Sequence, residues 1–385
     1  MRQNNMVRIG RQALSAILLA AALVSLVSLV SCEFFGMEEA ADSEEAPLSI
    51  MTWNLQALFD GTEAGTEYDE YTAAADWSEE KYRGRISVIS KAIQETESGI
   101  PDLIALEEIE SGKVLDDLGA ALSKKAQFWT HFAANPGGSL GLGLISKFPL
   151  EDVKVHSINA DGDEAPRPVL EVRVDAGGRP LALFVCHWKS KLGGDDATET
   201  TRKASARIIL RRLRELAEEE PSLPVIILGD LNENYDEFYR RNGSVISALV
   251  PDDPHCADIT GFYGPDGEGP AESAPAAELQ KDFIILSSNK PPRAHYFPEQ
   301  TICVYSPWAK ELENGSYYYK NEWETIDHFL LSTQLFDGTG WEFENARVFN
   351  QPPFGNAKGQ PAAYNPRTGA GLSDHLPLLL FLSYL

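Results

Sequence analysis

Positive charge is scarce in this chain: 33 Lys and Arg stand against 58 Asp and Glu, for a net charge of −25. That balance excludes a surface that coats a polyanion over many phosphates, so any phosphate-bearing substrate has to be held by a few local cations. Cysteine is equally sparse, with four in 385 residues, which excludes a disulfide-built scaffold. There is no internal repeat, and with it no solenoid or propeller. The Gly-rich run 137–143 lacks the Lys-Ser or Lys-Thr pair of a phosphate-cradling loop, and reads as a turn feeding a strand at Gly143–Ser146. What is present, 43% hydrophobic and 24% charged residues, is the composition of a globular protein with ample core.

The first residues carry Arg2, Arg8 and Arg11 and no acid, then an apolar run from Ala13 to Val30 that ends Leu29-Val30-Ser31-Cys32. This start resembles a bacterial lipoprotein signal. The resemblance implies a signal peptide over 1–31, lipid on Cys32, and an extracytoplasmic protein anchored to a bacterial membrane. A transmembrane helix or an ordinary signal peptide are the alternatives, and the 18-residue run could barely span a bilayer. Loss of 1–31 removes three arginines and no acid, taking the charge from −25 to −28. Residues 32–47, rich in Glu and Asp, read as a solvated tether. Of the other cysteines, Cys186 falls within an apolar strand. Cys256 and Cys303 are the pair better placed to meet in loops, with free thiols as the alternative.

Residues 48–385 read as one domain, since no linker or change of composition divides them. Short apolar runs predict strands at Leu48–Trp53, Leu103–Leu106, Gly143–Ser146, Val169–Val174, Leu181–His187, Val225–Leu228, Ile326–Leu331 and Leu376–Leu382. Helical periodicity covers Ser78–Glu95, Ser111–Ser123 and Glu199–Glu219. Such an order suggests a sheet-based core with helices packed outside it. Two polar or Pro/Gly-rich stretches, Asp60–Asp76 and Asn242–Glu324, read as long loops or insertions.

Chemistry concentrates where strands end. The run Val225-Ile-Ile-Leu-Gly-Asp230-Leu-Asn232 places a carboxylate and an amide two positions apart, on one side of an extended backbone. Taken alone, an Asx-turn explains it better. The design recurs, however, in Trp53-Asn54, Glu107-Glu108, His187, Asp327-His328 and Ser373-Asp374-His375. Together these supply carboxylates, amides and imidazoles at one end of a sheet, a set suited to a divalent cation and a proton-accepting histidine.

The motifs Thr52-Trp-Asn-Leu55, Ile104-Ala-Leu-Glu-Glu108, His187-Trp-Lys-Ser190, Gly229-Asp-Leu-Asn232, Ile326-Asp-His328 and Ser373-Asp-His-Leu-Pro377 occur in the order seen in the endonuclease/exonuclease/phosphatase superfamily. The resemblance spans about 48–382. It implies an α+β fold in which two packed β-sheets are flanked by helices, a four-layer sandwich like that of pancreatic deoxyribonuclease. It also implies metal binding by Glu108 with Asn54 and Asp374 (Mg²⁺ or Mn²⁺, with Ca²⁺ as a further candidate). His375, oriented by Asp327, becomes the general base; Asp230 and Asn232 position nucleophile and phosphate; His187 contacts the phosphate. Glu107 and Cys186 stand where the family often has Gln and Asn.

Arg167, Lys189 and Lys191 are candidate phosphate contacts, the first two favoured, with a surface ion pair or a solvated loop charge as the plainer reading of each. His328, next to Asp327 on an alternating strand, is expected to point away and pack. Trp53, Trp188, Trp308, Trp323 and Tyr317–Tyr319 could either stack on bases or fill the core. The expected activity is metal-dependent phosphodiester hydrolysis on DNA or RNA, with nucleic acid as substrate, the membrane as anchor and no protein partner. A sphingomyelin or phospholipid phosphodiesterase, a phosphatase of the same superfamily and a catalytically silent binding lipoprotein are the rivals.

Overall fold

Alternation along the central strands decides the layering of this protein, seen here in a computed structural model that describes residues 47–157, 167–260 and 280–385. Strands appear in the order β1 (Leu48–Leu58), β2 (Leu103–Ile109), β3 (Trp129–Ala133), β4 (Gly141–Ser146), β5 (Leu150–His156), β6 (Val169–Asp175), β7 (Pro180–His187) and β8 (Val225–Asp230). They continue with β9 (Leu249–Pro251), β10 (Ile284–Ser287), β11 (Cys303–Tyr305), β12 (Tyr317–Tyr319), β13 (Glu322–Glu324), β14 (Asp327–Leu331), β15 (Trp341–Val348) and β16 (Leu378–Tyr384). One sheet has the order β15-β16-β1-β2-β4-β3 and the other β5-β6-β7-β8-β14-β11-β10-β9, while β12 and β13 pair separately.

Ile50, Leu103, Ala105, Leu183, Val185, Ile226 and Leu228 face the space between the two sheets. Their sequence neighbours Met51, Ile104 and Leu106 face outward under helices α1 (Glu79–Gln94) and α2 (Gly112–Leu122). On the second sheet Phe184, Cys186 and Ile227 pack under α3 (Asp195–Glu219). Period-2 strands buried on both faces thus produce four layers, helix–sheet–sheet–helix. Each fully buried Leu, Ile or Phe contributes about 1.5–3 kcal/mol. Both helices over the first sheet start on a serine, Ser78 and Ser111, whose hydroxyl accepts from the third N–H onward.

Differences from expectation have simple causes. The stretch Asn242–Glu324 is not a plain loop: its described part carries β9 to β13 and a helix at Pro254–Thr260. Three unforeseen strands, β3, β5 and β15, all lie at sheet edges and have mixed burial, so no apolar run marks them. Cys186, Cys256 and Cys303 are all free thiols. Pro47–Leu385 form one compact unit. The signal peptide, the tether up to residue 46 and the lipidation at Cys32 lie outside the described residues. Among the described residues no helix is long and apolar enough to cross a membrane.

Candidate active site

Topology brings the strand ends to one edge. Strands β1 and β2 run parallel, as do β7 and β8, so Asn54, Glu108, His187 and Asp230 all lie at or near C-terminal strand ends. Strand β14 is antiparallel to β8 and pairs Asp327 with Asp230; β16 is antiparallel to β1 and brings up Ser373–His375 just before its start. His187, Asp230 and Asp327 are therefore lateral neighbours on three adjacent strands. Gly229 makes this possible: its φ is +124°, and a Cβ there would lie 2.0 Å from the Cys186 carbonyl oxygen and 2.9 Å from Glu107 Oε1.

A bulge sorts the two adjacent glutamates. The β1–β2 register shifts between Asn54 and Leu58, and Glu108 takes a left-handed φ of 62°. Glu107 consequently points inward, fully buried, accepting from Thr52 Oγ1 at 3.1 Å. Glu108 turns to the crevice, where its Oε2 accepts the Ala57 N–H at 2.7 Å and its Oε1 lies 3.9 Å from His187 Nε2. Asn54 Nδ2 joins the sheets, donating to Asp230 Oδ2 at 3.0 Å and more weakly to Glu108 Oε1 at 3.4 Å. Arg85, buried on α1, holds this bulge from behind. Its guanidinium donates to the carbonyls of Leu55, Gln56 and Ala57 and lies 3.8 Å from the ring centre of Tyr364.

His375 Nδ1 bonds Asp327 Oδ2 at 2.8 Å, and Ser316 Oγ donates to the same oxygen at 2.5 Å. The opposite nitrogen, Nε2, lies 4.0 Å from Asp230 Oδ2. Trp53 Nε1 and Ser373 Oγ fix the His375 backbone through its carbonyl and N–H, at 3.0 and 3.1 Å. Asp230 Oδ1 accepts the Asn232 N–H at 2.9 Å, and His187 Nε2 lies 3.5 Å from Asp230 Oδ2. Asn232 itself, with φ 50°, donates from its amide to the Trp188 carbonyl at 3.1 Å.

Burial and charge crowding dominate the electrostatics. Burial, added to by Asp327, pushes Asp230 up to about 7 against His375 and its two hydrogen-bond donors. Glu107 is raised by burial and then by Asp327 and Asp230, and Asp374 by burial despite His375. His187 is held well below the usual histidine range by burial, then Arg167 and His375. For His375 burial acts downward, but Asp327, Asp230 and Asp374 outweigh it and raise the imidazole well above its ordinary value. Glu107 Oε2 and Asp327 Oδ1 are buried without a hydrogen-bond partner among the described residues.

Five carboxylates thus meet two imidazoles and Arg167, a deficit of positive charge that suits a hard divalent cation. Ligand atoms of Asp230, Asp327 and His375 all lie within 4.8 Å of one another. In that trio Asp327 and His375 are already bonded together, so it is better described as a proton-handling pair beside Asp230 than as a cation cage. The carboxylates of Glu108 and Asp374 line the open cleft and remain the fitting donors.

The cleft has a volume of about 750 Å³. Its lining includes Glu108, Arg167, His187, Asp230, Asn232, Asp374 and His375. Arg167 donates to the Trp188 carbonyl at 2.6 Å. Lys189 is not among the lining residues; Lys191 is, tied to Glu237. Asn54 lies just beneath the lining residues, reaching them through its amide. His328 is buried with Nε2 on the Glu233 carbonyl at 2.8 Å, a packed side chain as its alternating position implies. Sequence reasoning missed Arg85 and left open, between stacking and core, the part of Tyr317, whose ring lies 4.6 Å from that of His375. The Tyr run ahead of Asp327 was a visible signal for the second; Arg85 binds backbone carbonyls and left none.

Two sheets with a carboxylate-imidazole crevice at one shared edge define a hydrolase acting on phosphoric ester bonds. The chain belongs to the endonuclease/exonuclease/phosphatase family, whose model matches residues 49–251, and enzymes of this family depend on a divalent metal. The structure is similar to truncated TDP2 from Caenorhabditis elegans, at 12% identity over 88% of this chain and 97% of that one, with a TM-score of 0.49. An endonuclease/exonuclease/phosphatase family protein from Bacteroides thetaiotaomicron is similar at 14% identity, covering 88% and 95%, TM-score 0.49. A mannosyl-6-phosphatase from Bacteroides thetaiotaomicron VPI-5482 is similar at 15% identity, covering 88% and 100%, TM-score 0.47. No curated protein matches the chain by sequence.

Proposed function

We propose that this enzyme is a metal-dependent nuclease that hydrolyses phosphodiester bonds of DNA or RNA outside the cytoplasm, held at a bacterial membrane by lipid on Cys32. The observation that carries the catalytic part is the pairing of His375 with Asp327 at 2.8 Å, beside a cluster of carboxylates that outnumbers the cations around it. Glu108 and Asp374, with Asn54 in support, would hold Mg²⁺ or Mn²⁺. Bound there, the cation supplies positive charge for the phosphoryl oxygens and offsets the carboxylates around it.

His375, once the carboxylates that raise it are offset by the cation, would take the proton of the attacking water at Nε2, and Asp327 holds its Nδ1–H so that the accepting nitrogen faces the crevice. The water oxygen bonds to phosphorus while the ester bond breaks, and the leaving oxygen departs with the bonding electron pair and takes a proton from solvent. Asp230 and Asn232 orient the water and the phosphate at the end of β8. His187, kept neutral by burial, donates a hydrogen bond to a phosphoryl oxygen, and Arg167 adds a fixed charge at the rim. The open cleft supports a polymeric substrate over a small enclosed one.

The full chain in detergent, given linear and circular DNA, single-stranded DNA and RNA with Mg²⁺ or Mn²⁺, is expected to cut at least one, with EDTA abolishing the reaction. Intact nucleic acids in both metals, alongside release of phosphocholine or of phosphate from sugar phosphates, would overturn the nuclease reading. Lipid on Cys32 is checked by fatty-acid labelling in cells, which the anchor reading expects to disappear in Cys32→Ser.

A further inference from the structure

The hairpin of β12 and β13 forms a two-stranded sheet of its own, tied to the segment before β16 by a single bridge between Tyr317 and His375. Residues 317 and 319 share one face because successive side chains alternate. Tyr318, on the other face, packs edge-on against Trp323 at 5.1 Å, which accounts for its position. The shared face forms a wall of the cleft. There the Tyr317 ring lies 4.6 Å from the His375 imidazole at 34°, and the Tyr319 ring 6.1 Å from Tyr317 at 24°. Three rings of similar tilt lead from the proposed base outward to Tyr319, which is 50% exposed. Fold stability gains little from a ring left in water at that place.

Charge on the same wall is selective. Lys191, Arg240 and Arg241 line the cleft but are each neutralised, by Glu237, by Asp236, and by Asp196 with Glu199. Among the described residues no carboxylate pairs with Lys320, whose ammonium lies 5.0 Å from the Tyr319 ring centre, or with Arg167. Glu322 and Glu324 also line the cleft and limit the phosphates it can hold to those near the unpaired cations. One flat ring beside a few unpaired cations matches one nucleotide unit, a base with its flanking phosphates, better than a duplex backbone.

Resting on the nuclease reading, we propose that Tyr319, backed by Tyr317, stacks one unpaired nucleobase next to the phosphate being cut, so that the enzyme selects single-stranded nucleic acid. A base lying on Tyr319 is out of its duplex, so a double helix has to be unstacked before it can bind there.

The experiment compares wild type, Tyr319→Ala and Tyr319→Trp in the full chain on three substrates: a single-stranded oligonucleotide, its duplex, and the single strand with abasic residues around the cleaved phosphate. Wild type is expected to favour the single strand over both others. In Tyr319→Ala the ratio of kcat/KM between normal and abasic single strands should fall about tenfold, mostly through KM, and Tyr319→Trp should restore it. A ratio equal in wild type and Tyr319→Ala overturns the platform. Equilibrium binding of adenosine monophosphate against ribose 5-phosphate separates the two readings. If no nucleic acid is cut but only wild type prefers the nucleotide, the nuclease reading falls and the platform stands; equal binding of both ligands removes the platform alone.

Discussion

Two buried charged clusters lie a few residues apart on the loop after β8, and they are built on opposite principles. Around Arg202 each buried acid has a base: Arg202 contacts Glu233 and Glu199, Arg241 reaches Glu199, and Lys191 holds Glu237. Arg202 also donates to the carbonyls of Lys189 and Asp195, tying the segment after His187 to the segment after Asn232. Three residues earlier, Asp230 sits among Glu107, Glu108, Asp327 and Asp374 with only two imidazoles and Arg167 nearby. The first cluster faces each buried acid with a base and is structural, although burial and the neighbouring Glu199 still push Glu233 up to about 8. The second is short of positive charge, the state expected of a site that completes itself with a cation.

The widest separation between the clusters is in catalysis. His375→Ala should lower kcat by about 10²- to 10⁴-fold, far more than any accompanying shift of the urea midpoint explains, whereas a small kinetic effect would remove the base assignment. The reverse pattern is expected of Arg202→Met, which strands Glu199 and Glu233: a loss of about 3–5 kcal/mol in urea unfolding. If Arg202→Met folds as well as wild type, the balance ascribed to that cluster is wrong. A matched change on the deficient side, Asp230→Asn, should abolish hydrolysis while leaving stability in EDTA equal or higher, because it removes a carboxylate from a crowd.

Arg85 sharpens the contrast at smaller scale, as a basic residue that serves the deficient cluster without entering it. Arg85→Met should raise the Mn²⁺ concentration for half-maximal activity about tenfold by loosening the bulge that aims the Ala57 N–H at Glu108. The smallest effect concerns Glu171, a balanced site on β6. Burial would raise it, but bonds from His156 and Arg212 bring it to about 2 from 4.5. A depressed carboxyl stabilises the fold above its unfolded value and loses that contribution as pH falls from about 4.5 towards 2. The stability difference between wild type and Glu171→Gln, on the order of 1 kcal/mol at pH 6 after allowance for solvent screening, should therefore shrink across that window.

The sequence made the deficient cluster visible and left the balanced one dark. Asn54, Glu108, His187, Asp230, Asp327 and His375 each interrupt or end an apolar run, so strand periodicity alone placed them at one sheet edge. The preference for Glu108 over Glu107 came from the resemblance to the family motif; the left-handed backbone that turns Glu108 to the crevice is announced by no local pattern. Arg202 lies on a helix whose charges look solvent-facing until α3 is packed against the second sheet. Edge strands β3, β5 and β15 were missed because an edge has one neighbour and mixed exposure. Of the two lysines the motif offered, Lys191 and not the favoured Lys189 is among the residues lining the cleft.

Calorimetric titration of Mn²⁺ into the metal-stripped full chain tests the cation deficit most directly. The account predicts saturable binding in wild type that Glu108→Ala removes and that Arg202→Met, measured at a temperature where it stays folded, retains. Binding that survives Glu108→Ala undiminished, or no binding in wild type, would contradict it.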